Sequence, residues 1–285
     1  MNVRMVARQR FPRMTGALGV ATSGWLRLGE MARFFGRALI AVVDVCIHYR
    51  GELLRQVAAM SLGTGSLVVV GGTVAVTSFL NMVTGGTLAS LGYTQLSHIG
   101  VEALTGFASA FANTRLVTPF TASIGFAATI GAGATAQLGA MRISEEIDAL
   151  EVMGVRSVAY LASTRVAAGV IVALPLMCVA LILSYVGAQF VTTGLYGQSR
   201  GVYMHYFHTF FSSTDAMRSF VVTVAMVATI MLIHTYYGFT ASGGPAGVGE
   251  AVGRATRASL ICASFVIMFV SMALYGQTGD FHLAG

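Results

Sequence analysis

Long apolar runs separated by short polar segments dominate the sequence. Five of the runs can cross a bilayer as helices, because a crossing needs about 20 apolar residues. They cover residues 57–83, 116–138, 161–190, 218–240 and 258–276. The pattern therefore predicts an all-α membrane protein with about five transmembrane helices.

The segments between the runs are predicted to be loops or surface elements. Residues 84–97 are polar, and residues 241–257 are rich in glycine and basic, so both are expected to be loops. The stretch 191–217 is expected to lie outside the membrane. The second run ends a longer apolar region, 99–138, which Pro119 is expected to break or kink. A short re-entrant or tilted helix is therefore expected before the second crossing.

Residues 24–55 precede the first crossing and differ from the spans in pattern. Over 24–50, apolar residues recur every three or four positions, which places them on one side of a helix. Arg33 and Arg37 lie one turn apart on the polar side. Such a helix cannot cross a bilayer cheaply, so it is expected to lie in the membrane interface. The alternative is a helix packed on a soluble domain. The basic segment 1–23 is expected to remain in the cytoplasm.

The longest charged interruption, residues 144–153, predicts a short acidic helix. Ser144 is a suitable N-cap, and Gly154 can supply a left-handed stop. Glu145 and Glu146 fall in the first turn, where the helix dipole favours anions. The expected apolar side consists of Ile143, Ile147, Leu150 and Met153, and the expected acidic side consists of Glu145, Asp148 and Glu151. The segment is either a solvated loop between spans or a helix that docks into a partner.

Composition and charge agree with a membrane location and suggest an orientation. Of the 285 residues, 55% are hydrophobic and 10% are charged, whereas soluble domains average about 25% charged residues. The net charge is +6, and fourteen of the 17 basic residues, all arginine, lie in 1–55, 139–165 and 241–257. The positive-inside rule then places the N-terminus in the cytoplasm and the tail, 277–285, outside. Because the arginines follow the expected cytoplasmic side, they do not indicate nucleic-acid binding.

Few residues carry candidate chemistry. Glu102 and Arg115 are ionisable residues in or near the second apolar region, and they form a candidate intramembrane polar site. The alternative is that both lie at the interface or that Arg115 snorkels. His205 and His208 share a helix face, but no nearby carboxylate or cysteine completes a metal site. An outer aromatic belt is the favoured interpretation there, and we expect no metal or cofactor.

The sequence does not predict an enzyme. Gly244 and Gly249 have the spacing of a phosphate-binding loop, but Glu250 and Ala251 follow where such a loop needs Lys and Ser or Thr. A carboxylate there would repel phosphate, so ATP hydrolysis is expected on a separate chain. We find no grouping that argues for a nucleophile with its base and no paired carboxylates.

Two local motifs carry a family resemblance. The first is Leu-Gly-x-Met at 138–141, followed by Ser-Glu-Glu-Ile-Asp-Ala-Leu at 144–150 and Val-Met-Gly-Val at 152–155. The second runs from Gly238-Phe239 through Arg254-Ala-Thr-Arg257. Together they resemble the MlaE/YrbE family, the permease subunits of MCE-type ABC lipid transporters. The resemblance covers about 25–276 and implies an MlaE-type permease domain over 56–276.

The resemblance also implies partners and a docking site. In that family the acidic helix is the coupling helix, which binds the ATPase subunit. The implied docking residues are Ser144, Glu145, Glu146, Ile147, Asp148, Leu150, Glu151 and Met153. Further implied partners are a second YrbE-like permease and MCE-domain proteins on the outer face of the plasma membrane. The expected cargo is a hydrophobic lipid: a phospholipid, fatty acid, mycolate-type lipid or sterol. The alternative function is an ion-coupled secondary transporter, which would need midplane carboxylates.

The sequence departs from the family pattern at charged positions. Leu116 stands where members often have an acidic residue after arginine, and Gln137 stands where they usually have glutamate. Thr129 replaces a family arginine, and Arg156-Ser157 replaces an Asp-Pro pair. Pore-side charges are therefore partly absent. We interpret the chain as one half of a heterodimer whose partner keeps those charges, with a homodimer as the alternative.

Overall fold

The computed structural model describes residues 12–62 and 66–276. Residues 1–11 of the predicted basic segment 1–23 and the predicted tail 277–285 lie outside the described residues. Side chains are described from Leu26 onward, except for Arg27 and for residues 62–71.

The described chain is helical throughout its regular elements. The α-helices are α1 (Pro12–His48), α2 (Arg50–Leu62), α3 (Ser66–Ser97), α4 (Thr105–Ala108), α5 (Thr118–Phe126), α6 (Ala132–Ile143), α7 (Glu146–Val152), α8 (Thr164–Phe190), α9 (Arg200–Phe210), α10 (Ser213–Phe239) and α11 (Gly244–Tyr275). A 3₁₀ turn covers Glu102–Leu104, and π-helical segments cover Ser109–Val117, Ala127–Gly131, Val158–Ser163 and Val191–Leu195. The predicted all-α class is confirmed.

Five helical stretches of the described chain are long and apolar enough to cross a membrane, which confirms the predicted number. They are Gly72–Ser97, Glu102–Ile143, Val158–Leu195, Ser213–Phe239 and Gly244–Tyr275. We refer to them as spans 1 to 5. Their order follows the sequence, but the boundaries of spans 1, 2 and 5 differ from those predicted.

The predicted loop at 84–97 is wrong, because these residues continue α3. The hydroxyl groups of Thr84 and Thr87 donate to carbonyl oxygens four residues earlier, at 2.9 Å and 2.8 Å. These polar side chains therefore satisfy themselves within the helix and do not require water. Residues 57–62 belong to α2, and the described part of span 1 begins at Gly72.

The predicted loop at 241–257 is also mostly helix. Gly243 and Gly244 have positive φ angles of 90° and 71°, which turn the chain between α10 and α11. Pro245 then occupies the first turn of α11, where backbone N–H groups have no acceptor within the helix, so its missing N–H removes no hydrogen bond. The glycines mark a tight helix-to-helix turn, and the rest of the segment is the first turns of span 5.

Pro119 does not separate two elements. The π-helical segment 109–117 leads directly into α5, and Pro119 lies in the first turn of that helix. The local change in hydrogen bonding accommodates the missing N–H, so helix continues from Thr105 to Ile143. The structure therefore has one long helical span, in which π-helical segments separate the α-helical ones, where a re-entrant helix and a separate crossing were predicted.

Helix α1 packs on the bundle through one of its faces. Phe34, Ala38 and Val45 are buried, and the Ser163 hydroxyl donates to the Ala38 carbonyl oxygen at 2.9 Å. Leu39, Ile40 and Val43 are exposed. One face of α1 thus contacts the bundle, and an aliphatic face points away from it.

The main core lies where spans 2, 3, 4 and 5 meet. Its largest fully buried side chains include Phe126, Met226, Ile230 and Met231. Span 1 joins this core through a close contact of α3 with α8, where a Cβ on Gly187 would overlap the Met82 carbonyl oxygen. Small residues allow such backbone contact, which is a principal source of helix association in membranes.

We predict that Gly187→Ala destabilises the protein by about 1–3 kcal/mol, because the new methyl group must push α3 away from α8. The measurement is thermal unfolding of the purified protein in detergent. Gly133→Ala is the matched control, since a Cβ there meets nothing within 4 Å. An equal melting temperature for the two variants would contradict the close contact.

Candidate functional site

Helix α7 is shorter than the predicted 144–153 and begins differently. The Ser144 N–H donates to the Ala140 carbonyl oxygen, and the Ser144 hydroxyl donates to the same atom, each at 3.0 Å. Ser144 therefore closes α6, and its predicted role as N-cap is wrong. Glu145 connects the two helices with a left-handed φ of 60°, and α7 starts at Glu146.

The end of α7 is as predicted. Gly154 has a left-handed φ of 76°. Its N–H donates to the Glu151 carbonyl oxygen, and the Val155 N–H donates to the Leu150 carbonyl oxygen, each at 3.0 Å. This pair of bonds is a Schellman motif, which satisfies carbonyl groups at a helix end.

Of the four residues on the expected apolar side of α7, Ile147 is buried, Leu150 is half-buried, and Ile143 and Met153 are exposed. Ile147 is fully buried between Leu138 of span 2 and Leu161 of span 3, and Leu150 packs against this cluster. Met153 is 68% exposed and Val152 is 90% exposed. The helix is thus held by one buried residue and presents an apolar tip.

The acidic side chains of α7 have different partners. Asp148 forms an ion pair with Arg142, and the Glu146 carboxylate lies 2.9 Å from the Ser144 hydroxyl oxygen, within reach of its proton. Glu151 accepts one from the Ser157 hydroxyl at 2.6 Å. Glu145 is exposed. Together with Val152 and Met153, these side chains form a mixed acidic and apolar surface, which we call the α7 surface.

Arg115 has a carboxylate partner that sequence reasoning missed. Its Nε donates to Oδ2 of Asp215 at 2.9 Å, across one hundred positions of sequence. Glu102 lies elsewhere: it is half-buried, and its backbone carbonyl oxygen accepts from the Gln198 side chain at 3.1 Å. The structure does not bring Glu102 and Arg115 together. A sequence signal could have placed Asp215 at the start of a helix, because Ser212 precedes it at the spacing of an N-cap. In the structure the Ser212 hydroxyl accepts a hydrogen bond from the Asp215 N–H in the first turn of α10.

Further residues complete this charged cluster. Arg218 lies 3.4 Å from the other Asp215 oxygen, and the Arg115 guanidinium lies 4.2 Å from the centre of the Phe111 ring and 5.0 Å from that of Tyr275. Two guanidiniums thus share one carboxylate among aromatic faces, which can stabilise cations. The cluster links spans 2, 4 and 5.

A second polar network lies deeper in the bundle. The fully buried His234 ring shares hydrogen bonds with the Thr135 hydroxyl at 2.7 Å and the Ser259 hydroxyl at 3.1 Å. These residues belong to spans 4, 2 and 5. Gly131 makes room for the ring, since a Cβ there would lie 2.8 Å from it. The network satisfies its members, as buried polar groups require.

A third network joins α2 to the beginning of span 3. Glu52 accepts two hydrogen bonds from Arg55, at 2.8 Å and 2.9 Å, one from Gln56 at 2.7 Å and one from the Tyr160 hydroxyl at 3.3 Å. Burial raises the pKa of the Glu52 carboxyl. The hydrogen bonds and the charge of Arg55 outweigh burial, so its pKa lies below the ordinary value.

The described residues contain no group of three or more His, Cys, Asp or Glu side chains that could hold a metal ion. His205 and His208 are exposed on α9, where His205 packs against Tyr206 and His208 against Phe207. This arrangement agrees with an aromatic surface.

Comparison with known proteins assigns the family. The family model described as Permease MlaE matches residues 64–273. The chain belongs to the MlaE permease family. The match covers most of the chain and includes α7, spans 1 to 4 and all but the last two residues of span 5 of this MlaE permease.

Relatives agree with this assignment. The MlaE permease is 27% identical over 256 residues to the Arabidopsis thaliana chloroplastic protein TRIGALACTOSYLDIACYLGLYCEROL 1, covering 86% of this chain and 67% of the relative. It is 25% identical over 183 residues to a probable ABC transporter permease protein of Synechocystis, covering 64% and 70%. It is 24% identical over 241 residues to one of Rickettsia bellii, covering 85% and 88%. The chain is therefore a multi-pass ABC transporter permease subunit.

We predict that the Arg115–Asp215 pair stabilises the bundle. In a double-mutant cycle with Arg115→Met and Asp215→Asn, we expect a coupling energy of about 1–3 kcal/mol, because both charges are largely withdrawn from solvent. Unfolding in detergent measures it. The control cycle uses Glu250 and Arg254, an exposed pair at 2.9 Å for which less than about 1 kcal/mol is expected. Equal coupling in the two cycles would contradict the assignment.

We also predict a pH effect at Glu52. Because its pKa is lowered in the folded state, the carboxylate contributes stability above its unfolded pKa, near the ordinary 4.5, and loses it as the pH falls through the folded value. The melting temperature of the native protein should therefore exceed that of Glu52→Gln at neutral pH, and the difference should shrink below pH 4.5. A difference that is constant with pH would contradict the network.

Proposed function

We propose that this MlaE permease moves hydrophobic lipids across or out of the plasma membrane, driven by a separate ATPase subunit that docks on the α7 surface. The observation that carries the proposal is the geometry of α7. Its buried residue, Ile147, contacts spans 2 and 3, while Val152, Met153 and Glu145 face outward. An ATPase bound there would be connected to both spans through one packed side chain.

Several observations support a lipid cargo. The outward faces of the spans are apolar; Phe79, Phe190 and Phe269 are each more than half exposed. Such surfaces can hold hydrocarbon chains beside the protein. The Arabidopsis relative carries the name of a glycolipid. Phospholipids, fatty acids, mycolate-type lipids and sterols all fit this chemistry.

The remaining partners follow from the family assignment and the distribution of arginine. We propose that the N-terminus and α7 lie in the cytoplasm and that the C-terminus lies outside. A second permease, identical or YrbE-like, would complete the lipid path, and MCE-domain proteins would meet the outer face. Interfacial placement of residues 24–55 is supported by the exposed Leu39 and Val43 of α1.

The charged cluster is the proposed polar contact for a lipid headgroup. Arg115 and Arg218 exceed the single carboxylate of Asp215 by one positive charge. Glu102 is a separate candidate on the same side of the bundle. The alternative of ion-coupled secondary transport gains no support from Asp215, because two guanidiniums already neutralise its carboxylate.

Substitutions on α7 test the proposal. We expect Val152→Asp with Met153→Asp to lower ATPase co-purification by about tenfold or more, because exposed apolar residues often dominate binding at interfaces. Glu145→Arg with Asp148→Arg should have the same effect through charge. Pull-down of the co-expressed ATPase measures binding, and ATP-dependent transfer of a labelled phospholipid between vesicles measures transport.

Glu102→Arg is the control, because Glu102 lies at the opposite end of span 2 from α7. It should leave co-purification unchanged and the protein in the membrane. Retention of the ATPase by both α7 double variants would refute docking at α7. Binding without ATP-dependent lipid transfer by the native complex would refute the proposed cargo.

A further inference from the structure

A cleft separates α1 from the segment that follows α7. Its volume is about 530 Å³, within the range of small-molecule sites. One wall is formed by Arg37, Ile40 and Asp44 of α1, and the other by Glu151, Val155 and Val158. The cleft is separate from the charged cluster of Arg115 and from the exposed tip of α7.

The charges of the cleft are balanced but not all paired. Asp44 and Arg156 form an ion pair at 2.9 Å across the cleft. Arg37 and Glu151 also line it, from opposite walls, and neither forms an ion pair within the part of the chain that the structure describes. Glu151 accepts only the Ser157 hydroxyl bond already described. One guanidinium and one carboxylate thus remain available to a ligand.

The cleft lies beside the start of span 3. Val158 begins span 3, and Ile40, on the facing wall, is 77% exposed. Val43, one turn from Ile40 on α1, is 65% exposed. An apolar wall at the end of a span meets acyl chains on one side and headgroups on the other.

We propose that this cleft binds one phospholipid with an amine-bearing, zwitterionic headgroup from the adjacent leaflet. The phosphate contacts Arg37, the ammonium contacts Glu151, and an acyl chain follows Ile40 and Val158. A guanidinium binds phosphate oxygens through two parallel hydrogen bonds. An anionic headgroup fits less well, because it would bring its charge to a cleft with two carboxylates and gain no partner for Glu151.

The bound lipid has a structural consequence. Arg37 belongs to α1, and Glu151 belongs to α7, so one headgroup joins the two helices. The cleft is separate from the charged cluster proposed to contact the cargo. Because Glu151 also belongs to the α7 surface, the site is tested on the permease purified without the ATPase.

Retention of defined lipids by the full-length protein tests the site. The purified protein is loaded with a mixture of phosphatidylethanolamine and phosphatidylglycerol, and the lipids that survive detergent washing are counted by native mass spectrometry. We expect retention of phosphatidylethanolamine to exceed that of phosphatidylglycerol by about tenfold, as for one additional charge-assisted contact. Glu151→Gln should abolish this preference, and Arg37→Gln should lower retention of both lipids.

Matched variants keep the test specific. Arg33→Gln and Glu146→Gln change exposed charges on the same two helices outside the cleft, and they should leave retention unchanged. Ala41→Leu fills the cleft without changing its charge and should lower retention in a protein that still elutes as a single species. Soluble glycerophosphoethanolamine at the same concentration should not be retained.

Three outcomes would overturn the proposal. The first is retention of phosphatidylglycerol equal to or above that of phosphatidylethanolamine. The second is retention that neither Arg37→Gln nor Glu151→Gln changes, which would leave the cleft to a protein partner or to none. The third is equal binding of the soluble headgroup, which would show that the acyl chain contributes nothing.

Discussion

The structure depends on one constraint: hydrocarbon offers no partner for a polar group, so each must find one within the protein. The chain meets this requirement mainly by helix, and many of its threonine side chains follow the same rule. Thr121, Thr192 and Thr223 each donate to a carbonyl oxygen four residues earlier. Polar residues can therefore occur inside spans without ending them.

This constraint explains where sequence reasoning succeeded and failed. The number of spans follows from apolar length and was predicted. The loops predicted at 84–97 and 241–257 were wrong because a count of polar and glycine residues cannot distinguish a solvated loop from a helix with self-satisfied hydroxyls. The glycines of 85–86 and 187 serve contact between α3 and α8, a role that depends on a partner far away in sequence.

The candidate functional sites divide in the same way into features that the sequence predicts and features that it does not. The short acidic helix and its stop at Gly154 could be predicted, because both depend on local signals. The partner of Arg115 could not, because Asp215 is one hundred positions away and precedes the predicted fourth span. His234 had no partner in sequence, yet Thr135 and Ser259 hold it from two other spans. Long-range polar pairs require the helix arrangement before they can be recognised.

The anchoring of α7 has a mechanical consequence. The helix has seven residues, and Ile147 fills a gap between Leu138 and Leu161 in a close-packed cluster. Dense packing transmits displacement and absorbs little of it. A displacement of α7 would therefore move the ends of spans 2 and 3 together, with Ile147 as the contact that transmits it.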